Sequence, residues 1–178
     1  MTTEPARWLV DHAHVLPVTG DALDVASGSG RNAFWLAARG LSTVAIDRDA
    51  AAIAGIRETA ERLRLPLRAD IVDLETGEAT LPVAAYDVIV VVHYLHRPLF
   101  PSLRAALRPG GILVYETFTR AQAQRGKPTN PAFLLEPGEL RRLVAPLEVL
   151  VEREGDVEGK MLASVIAVRP LDQALDTR

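Results

Sequence analysis

The stretch Asp24-Val25-Ala26-Ser27-Gly28-Ser29-Gly30-Arg31-Asn32 carries the side chains and backbone freedom of a ligand site. Ala22-Leu23 before it, continued by Val25 and Ala26, reads as a short buried strand. Ala33-Phe34-Trp35-Leu36-Ala37-Ala38-Arg39 after it reads as an amphipathic helix stopped by Gly40. Gly28 and Gly30 let the backbone turn sharply and let a ligand approach it closely. The helix start offers unpaired N–H groups and a positive dipole end to an anionic or polar group. The next strand, Ser42 to Ile46, ends in Asp47. A carboxylate there can accept two hydrogen bonds from vicinal ribose hydroxyls. That is the chemistry of a site for an adenosine-containing cofactor.

The glycine spacing alone leaves the cofactor open, because Gly28-x-Gly30-x-x-Ala33 also satisfies the relaxed dinucleotide fingerprint. With Asp24 included, the stretch reads D-x-A-x-G-x-G. It resembles motif I of the class I S-adenosylmethionine-dependent methyltransferases, usually D/E-x-G-x-G-x-G. Ala26 stands where that family has its first glycine. The expectation is a negative φ at Ala26 and a narrower space beside the methionine end of the cofactor.

The elements that must hold this turn alternate along the chain. Ala6 to Val15 reads as a leading helix, followed by a turn at Pro17 and Gly20, so residues 1–20 are a helix and linker. Asp49 caps a helix carrying Ile53, Ile56, Ala60 and Leu63, which Pro66 ends. Leu67 to Ile71 reads as a third strand. Tyr86 to Val92 is a nearly continuous apolar run, suited to a central parallel strand covered on both faces. Pro98 to Leu107 reads as a helix, Pro109-Gly110-Gly111 as a turn, and Ile112 to Tyr115 as a buried strand. Gly138 to Val144 is a short helix. Leu147 to Arg153 and Met161 to Val168 read as two antiparallel strands.

Such alternation predicts a single α/β domain over residues 1–178, a Rossmann-like doubly wound sheet with helices on both faces. The family resemblance, covering Leu23 to Val168, implies about seven strands, mostly parallel, with the last inserted antiparallel. The polar stretch Arg120 to Leu135 is long for a connector, so residues 119–137 are expected to form a lid-like loop. Residues 171–178 are expected to be a loose tail.

Composition excludes several classes of function. Net charge is −3 and the pI is about 5.8, so no global basic field recruits nucleic acid. The chain has no cysteine, which excludes disulfides, zinc–thiolate sites and thiol nucleophiles. His12 and His14 fall on different faces of a helix and make a poor metal pair, and no metal site is expected. The N-terminus lacks the pattern of a secretory signal, and no apolar run is long enough to span a bilayer. A cytoplasmic protein with no membrane partner is the expectation.

The resemblance implies roles residue by residue. Gly28 and Gly30 lie against the methionine and ribose, with Asp24, Ala26 and Arg48 in the same set. Asp47 binds the ribose hydroxyls. Asp70-Ile71 matches the pair whose acid meets the adenine amino group, and Asp73 is the rival for that role. His93-Tyr94-Leu95-His96 follows the fourth strand, where the family packs the transferred methyl group. His93 is a candidate contact to the methionine end. His93, Tyr94 and His96 are candidate substrate or proton-transfer residues, with packing and turn capping as the alternative for the two histidines. Glu116 ends the fifth strand and is a further candidate base or orienting group.

The run Asn130 to Leu140, with Phe133 and Gly138-Glu139-Leu140, resembles the small bacterial methyltransferases of tellurite-resistance type, as does Tyr-Glu-Thr-Phe at 115–118. The implied activity is direct in-line methyl transfer from S-adenosylmethionine to a small molecule, leaving S-adenosylhomocysteine. Two alternatives stay open from sequence. One is an NAD(P)-dependent oxidoreductase, and the other is a non-catalytic S-adenosylmethionine-binding module.

Overall fold

A computed structural model describes residues 4–77 and 80–171 of the chain. The expected loose tail lies outside the described residues, apart from Leu171. The order of elements follows the sequence pattern. Helix α1 (Arg7–Asp11) and a 3-10 turn (Ala13–Val15) lead into β1 (Asp21–Val25), α2 (Arg31–Ala38) and β2 (Ser42–Asp47). Then come α3 (Ala50–Leu63), β3 (Leu67–Ile71), β4 (Tyr86–Val92) and α4 (Phe100–Ala106), with a 3-10 turn at Arg97–Leu99. The chain closes with β5 (Leu107–Phe118), α5 (Glu139–Val144), β6 (Glu148–Val157) and β7 (Lys160–Val168).

The strands form a seven-stranded sheet in the order β3-β2-β1-β4-β5-β7-β6. The five strands from β3 to β5 pair in parallel. Strand β7 runs antiparallel to both β5 and β6. The order reverses between β1 and β4, and ligands of open α/β sheets bind outside the carboxyl ends of strands at such a reversal.

Period-two alternation sends the strands' side chains to two cores. Leu23, Val25, Ile89, Val91, Leu113 and Tyr115 pack with Phe100 and Leu103 of α4 and Leu140 and Val144 of α5. Ala22, Val88, Val90, Ile112 and Val114 pack on the other face with Trp8 and Leu9 of α1 and Leu36 of α2. Strand β4 therefore buries Val88, Ile89, Val90 and Val91 on both faces. Each such side chain contributes about 1.5–3 kcal/mol. This is why the run is continuous rather than alternating. Helix α3 seats Ile53 and Ile56 against Ala33, Ala45 and Ala69.

Two expectations of detail change. Pro109-Gly110-Gly111 lies inside β5 rather than forming a separate turn. The pairing of β4 with β5 shifts register there, between Tyr86 and Val88. A Cβ at Gly111 would lie 3.0 Å from the Tyr86 carbonyl oxygen, so only glycine lets the strand pass so close. The β6–β7 turn is tighter than expected, with Glu158 and Gly159 both at positive φ between Val157 and Lys160. Among the described residues no helix is long and apolar enough to cross a membrane, and no cluster of acids and histidines could hold a metal ion.

Candidate active site

At the reversal point the chain leaves β1 through Ala26 and β4 through His93. Both take left-handed backbone, with φ of +52° and +58°. The expectation of a negative φ at Ala26 is thus overturned. The turn needs the conformation glycine adopts freely, and Ala26 adopts it at a cost of about 1–2 kcal/mol. Gly28 has a φ of +53°, and nothing lies within 4 Å of where its Cβ would be, so a ligand can reach its backbone.

Gly30 does different work. A Cβ there would lie 2.7 Å from Ile56 Cγ1. This glycine lets α2 close onto α3, and it lines neither hollow described below. Asp24 is likewise a positioning group rather than a wall of the site. It is 1% exposed and accepts a hydrogen bond at 2.9 Å from Ala33 N in the first turn of α2. Burial pushes its carboxyl up to about 7, against the opposing pull of that N–H and of Arg31.

Asp47 stands at the tip of β2 and ties the turn to the strand. Its Oδ2 accepts from Gly28 N at 2.8 Å and its Oδ1 from Asp49 N at 2.9 Å. A carboxylate oxygen has two acceptor directions, so each keeps one for a ligand. Asp47 and its neighbour Arg48 line a cavity of about 660 Å³ at the carboxyl ends of the strands. That volume suits a cofactor-sized ligand. Arg48 pairs with Glu75 at 3.5 Å along the same wall.

After the third strand it is Asp73, not Asp70, that lines the cavity. Asp70 faces away from the cavity and pairs with Arg68 at 2.9 Å and Arg57 at 3.9 Å. Ile71 is exposed and also lies off the cavity wall. Val72, Asp73, Leu74 and Glu75 line it instead. Asp73 uses Oδ1 to accept from Glu75 N at 2.9 Å, and its Oδ2 accepts no hydrogen bond among the described residues. The strand itself ends at Ile71, and Val72 N donates to the Asp47 carbonyl. The residues beyond that bond turn across the tip of β2, which carries Asp73 over the cavity.

The corner after β4 divides its residues. His93, Tyr94 and Leu95 line the cavity, and His96 does not. The His96 carbonyl accepts from Leu99 N and starts the following 3-10 turn, the capping role. The His93 ring stacks on Phe118 with centroids 4.7 Å apart. Desolvation by its surroundings, with Arg31 close by, lowers its pKa to about 4, so the ring is neutral at physiological pH. Tyr94 is pushed up to about 12 by burial and by Glu75 and Asp73, and it keeps its proton.

Glu116 departs furthest from its expected role. It is 5% exposed and accepts from Ser164 Oγ at 2.6 Å and Arg153 at 3.0 Å. Alternation along β5 sends it to the face of Ile112 and Val114, where Arg153 also stacks over Trp8. It is a buried ion-pair member, not a base facing the cavity. Thr117 and Phe118 beyond it reach the cavity wall.

The stretch after β5 closes the remaining side. Leu135 N donates to the Phe118 carbonyl, and Arg120 N to the Leu135 carbonyl. Arg97 holds the far end, donating to the Ala132 and Leu134 carbonyls and pairing with Glu139 at 2.6 Å. Between these pins, Lys127, Pro128, Thr129, Asn130 and Phe133 line the cavity, and Phe133 remains 48% exposed. A second hollow of about 400 Å³ adjoins the first at Ala26 and His93. Ser27, Gly28, Arg31 and Lys160 line it. Among the described residues, Ser27 Oγ is buried without a hydrogen-bond partner. An orphaned hydroxyl beside an open glycine and a half-used carboxylate is a constellation a polar ligand would complete.

Sequence reasoning missed Leu74, Glu75, Lys127 and Lys160 as wall residues. Only Asp73, kept as a rival to Asp70, pointed to the residues after β3 that line the cavity. The two lysines come from segments far apart in sequence, and no local pattern announces them.

Residues 22–111, about half of the chain, match the methyltransferase-domain family. Over 158 residues the chain is 32% identical to a protein named Hemagglutinin 1 from Eikenella corrodens, and the match covers 84% of this chain. The chain spans 50% of that relative's length. Among solved structures, TehB from Haemophilus influenzae superposes with a TM-score of 0.79 at 23% identity, over 94% of this chain and 63% of that one. An S-adenosylmethionine-dependent methyltransferase from Mesorhizobium loti gives 0.75 at 17% identity, over 94% and 100% of the two chains. Another from Methanosarcina mazei gives 0.72 at 18%, over 95% and 100%. At these identities the structures speak to the fold, and the fold is the same. The family match decides against the nicotinamide reading of the glycine turn. The chain belongs to the class I S-adenosylmethionine-dependent methyltransferases, and that membership implies S-adenosylmethionine as its cofactor.

Proposed function

We propose that the protein transfers a methyl group from S-adenosylmethionine to a small-molecule acceptor by direct in-line displacement. The supporting observation is the shape of the main cavity. Its β2–β3 end carries Asp47, Arg48 and Asp73, its middle carries Ala26 at the tip of β1, and its β4–β5 end carries His93, Thr117, Phe118 and Phe133. One end has the acceptors a nucleoside needs, and the other leaves room for a second molecule.

The free acceptor directions of Asp47 hold the ribose hydroxyls, and Asp73 with Leu74 holds the adenine. Gly28 and the adjoining Ser27 hydroxyl take the polar methionine end, with Ala26 and His93 beside it. When bound, the cofactor supplies a methyl group on a positively charged sulfur, which leaves as a neutral thioether. The protein's own share is alignment and exclusion of water, and alignment of two reactants is worth about 7–11 kcal/mol. The neutral His93 ring adds no charge beside the reacting centre. Phe118 fixes that ring by stacking. Residues 119–137 act as a lid, closing Phe133 over the acceptor between pins at Leu135 and Arg97.

The test is transfer of radiolabelled methyl from S-adenosylmethionine into cell extract separated into small molecules, protein and nucleic acid. Label in the small-molecule fraction is expected. Label only in protein or nucleic acid would contradict the acceptor class. Cofactor binding with no label anywhere would make the protein a non-catalytic binding module.

A further inference from the structure

We propose that Arg97 is a positioning residue for methyl transfer, with its guanidinium fixing Phe133 relative to the corner after β4. The inference rests on the methyl-transfer reading above. The corner supplies His93, Tyr94 and Leu95 to the cavity wall. Strand β5 holds it twice. His93 N donates to the Glu116 carbonyl, and the hydroxyl of the buried Tyr115 donates to the Tyr94 carbonyl, each at 2.8 Å. Arg97 opens the 3-10 turn that follows, so its side chain extends from a fixed base.

Phe133 lines the same end of the cavity, and packing does not hold it there. Pro131, Ala132 and Phe133 are all exposed, and burial resumes only at Leu134. Asn130 Oδ1 shapes the local turn by accepting from Ala132 N at 3.0 Å. The tie to the corner comes from Arg97. Its Nη1 donates to the Ala132 carbonyl and its Nη2 to the Leu134 carbonyl, both at 2.9 Å. One guanidinium thereby grips the backbone on each side of Phe133.

Glu139 aims the grip. Arg97 Nε and Nη2 donate to its two carboxylate oxygens at 2.6 Å and 2.9 Å. The Glu139 side chain is only 14% exposed, and its Oε2 also accepts from Glu136 N at 2.7 Å. The Arg97 guanidinium holds its carboxyl below the usual carboxylate range. A bidentate pair fixes the plane of the guanidinium, which leaves the remaining N–H groups directed at the two carbonyls. A lysine ammonium has no such planar fork. Neither Arg97 nor Glu139 lines the cavity or the adjoining hollow. Arg97 therefore acts through Phe133, at the end of the cavity away from Asp47. Its loss is felt in transfer, where a misplacement of about 1 Å can cost about 100-fold, and not in cofactor binding.

The test uses the full chain, saturating radiolabelled S-adenosylmethionine and the small-molecule fraction of a bacterial extract as the source of acceptor. Arg97→Lys is expected to slow label transfer about tenfold or more, with S-adenosylhomocysteine affinity by calorimetry within about twofold of wild type. Arg97→Lys added to Phe133→Ala is expected to slow transfer less than about twofold further, because the two act as a unit. A second variant guards against misfolding. Arg97→Met with Glu139→Gln leaves no unpaired charge buried, and is expected to keep the wild-type denaturant midpoint while still transferring about tenfold more slowly. Wild-type transfer in Arg97→Lys or in the uncharged double variant would overturn the proposal and leave methyl transfer standing. So would full additivity of Arg97→Lys with Phe133→Ala, or a loss of S-adenosylhomocysteine affinity as large as the loss of transfer, because Arg97 would then serve the site as a whole. No label transferred by the wild type would overturn the methyl-transfer reading itself, and this proposal with it.

Discussion

The two ends of the site are built by opposite means. At the β1–β2 end, Ala26, Gly28 and Asp47 lie within one strand-turn-helix-strand unit, and Asp47 reaches back 19 residues to the Gly28 N–H. At the β4–β5 end, the wall is assembled from the corner after β4, the stretch after β5 and the first residue of β7, with Gln122 bridging to Met161 across 39 residues. A local unit must keep a fixed spacing, so it leaves a motif. A wall of distant segments is fixed by strand pairing and buried side-chain ties, and it leaves none. On the proposed reading, the first end holds the cofactor and the second is free to set the acceptor.

The largest effect expected at the local end is from Ala26→Val. A β-branched residue at a φ of +52° is strained in itself, and its bulk projects where the two hollows meet. S-adenosylhomocysteine binding is expected to vanish in a calorimetric titration. Normal affinity in that variant would mean this turn does not line the cofactor site.

Next comes Asp24, which sharpens the contrast because it supports the turn without touching the cavity. Its folded carboxyl is raised to about 7 from 3.8, so the folded state holds the proton more tightly than the unfolded one. The stability this gives is fully present below about pH 4 and is lost as pH rises toward and through 7, by a few kcal/mol in order of magnitude. Asp24→Asn is expected to flatten that slope in chemical denaturation across pH 5 to 9, with the Ala33 N–H still accepted by the amide oxygen. A slope unchanged in the variant would place the titrating group elsewhere. His93 runs the other way. Its lowered pKa contributes stability that is present above about pH 6.5 and lost as pH falls toward 4, so it adds nothing to the slope near 7.

At the distant end, Phe133→Ala is expected to leave S-adenosylhomocysteine affinity within about twofold and to lower turnover about tenfold. Hydrogen exchange across residues 127–133 is expected to slow only when cofactor product and acceptor are both bound. Equally fast exchange in the free and liganded protein would leave the segment a fixed wall. The smallest effect is from Ala26→Gly, which relieves the left-handed alanine. It is expected to gain about 1 kcal/mol in denaturant unfolding with binding intact. A loss of stability would show that the alanine methyl packs usefully.

The contrast also explains what the chain revealed before folding. The alternation of strands and helices and the glycine turn were legible because hydrophobic period and motif spacing are local signals, and the antiparallel last strand came with the family resemblance. The β4 run needed no partner to be recognised as central. Glu116 misled because a strand's last acid reads as facing the site, whereas alternation set its face and Arg153, 37 residues away, set its partner. Asp70 misled because Asp-Ile-Val-Asp offers two acids three residues apart, and only the Val72 bond to the Asp47 carbonyl shows which of them turns over the cavity. Gly30 was legible as necessary but not as to purpose, since its contact with Ile56 lies on another helix.

The central claim is that Asp47 anchors an adenosine cofactor at the tip of β2. The most direct measurement is calorimetric titration of S-adenosylhomocysteine into the wild-type protein and into Asp47→Ala, with Asp47→Asn as the variant that keeps an acceptor for the Gly28 N–H. The account predicts one site in the wild type and a loss of about 1.5–3 kcal/mol, tenfold or more in affinity, in a folded Asp47→Ala protein. No binding to the wild type, or equal affinity in folded wild-type and variant proteins, would contradict it.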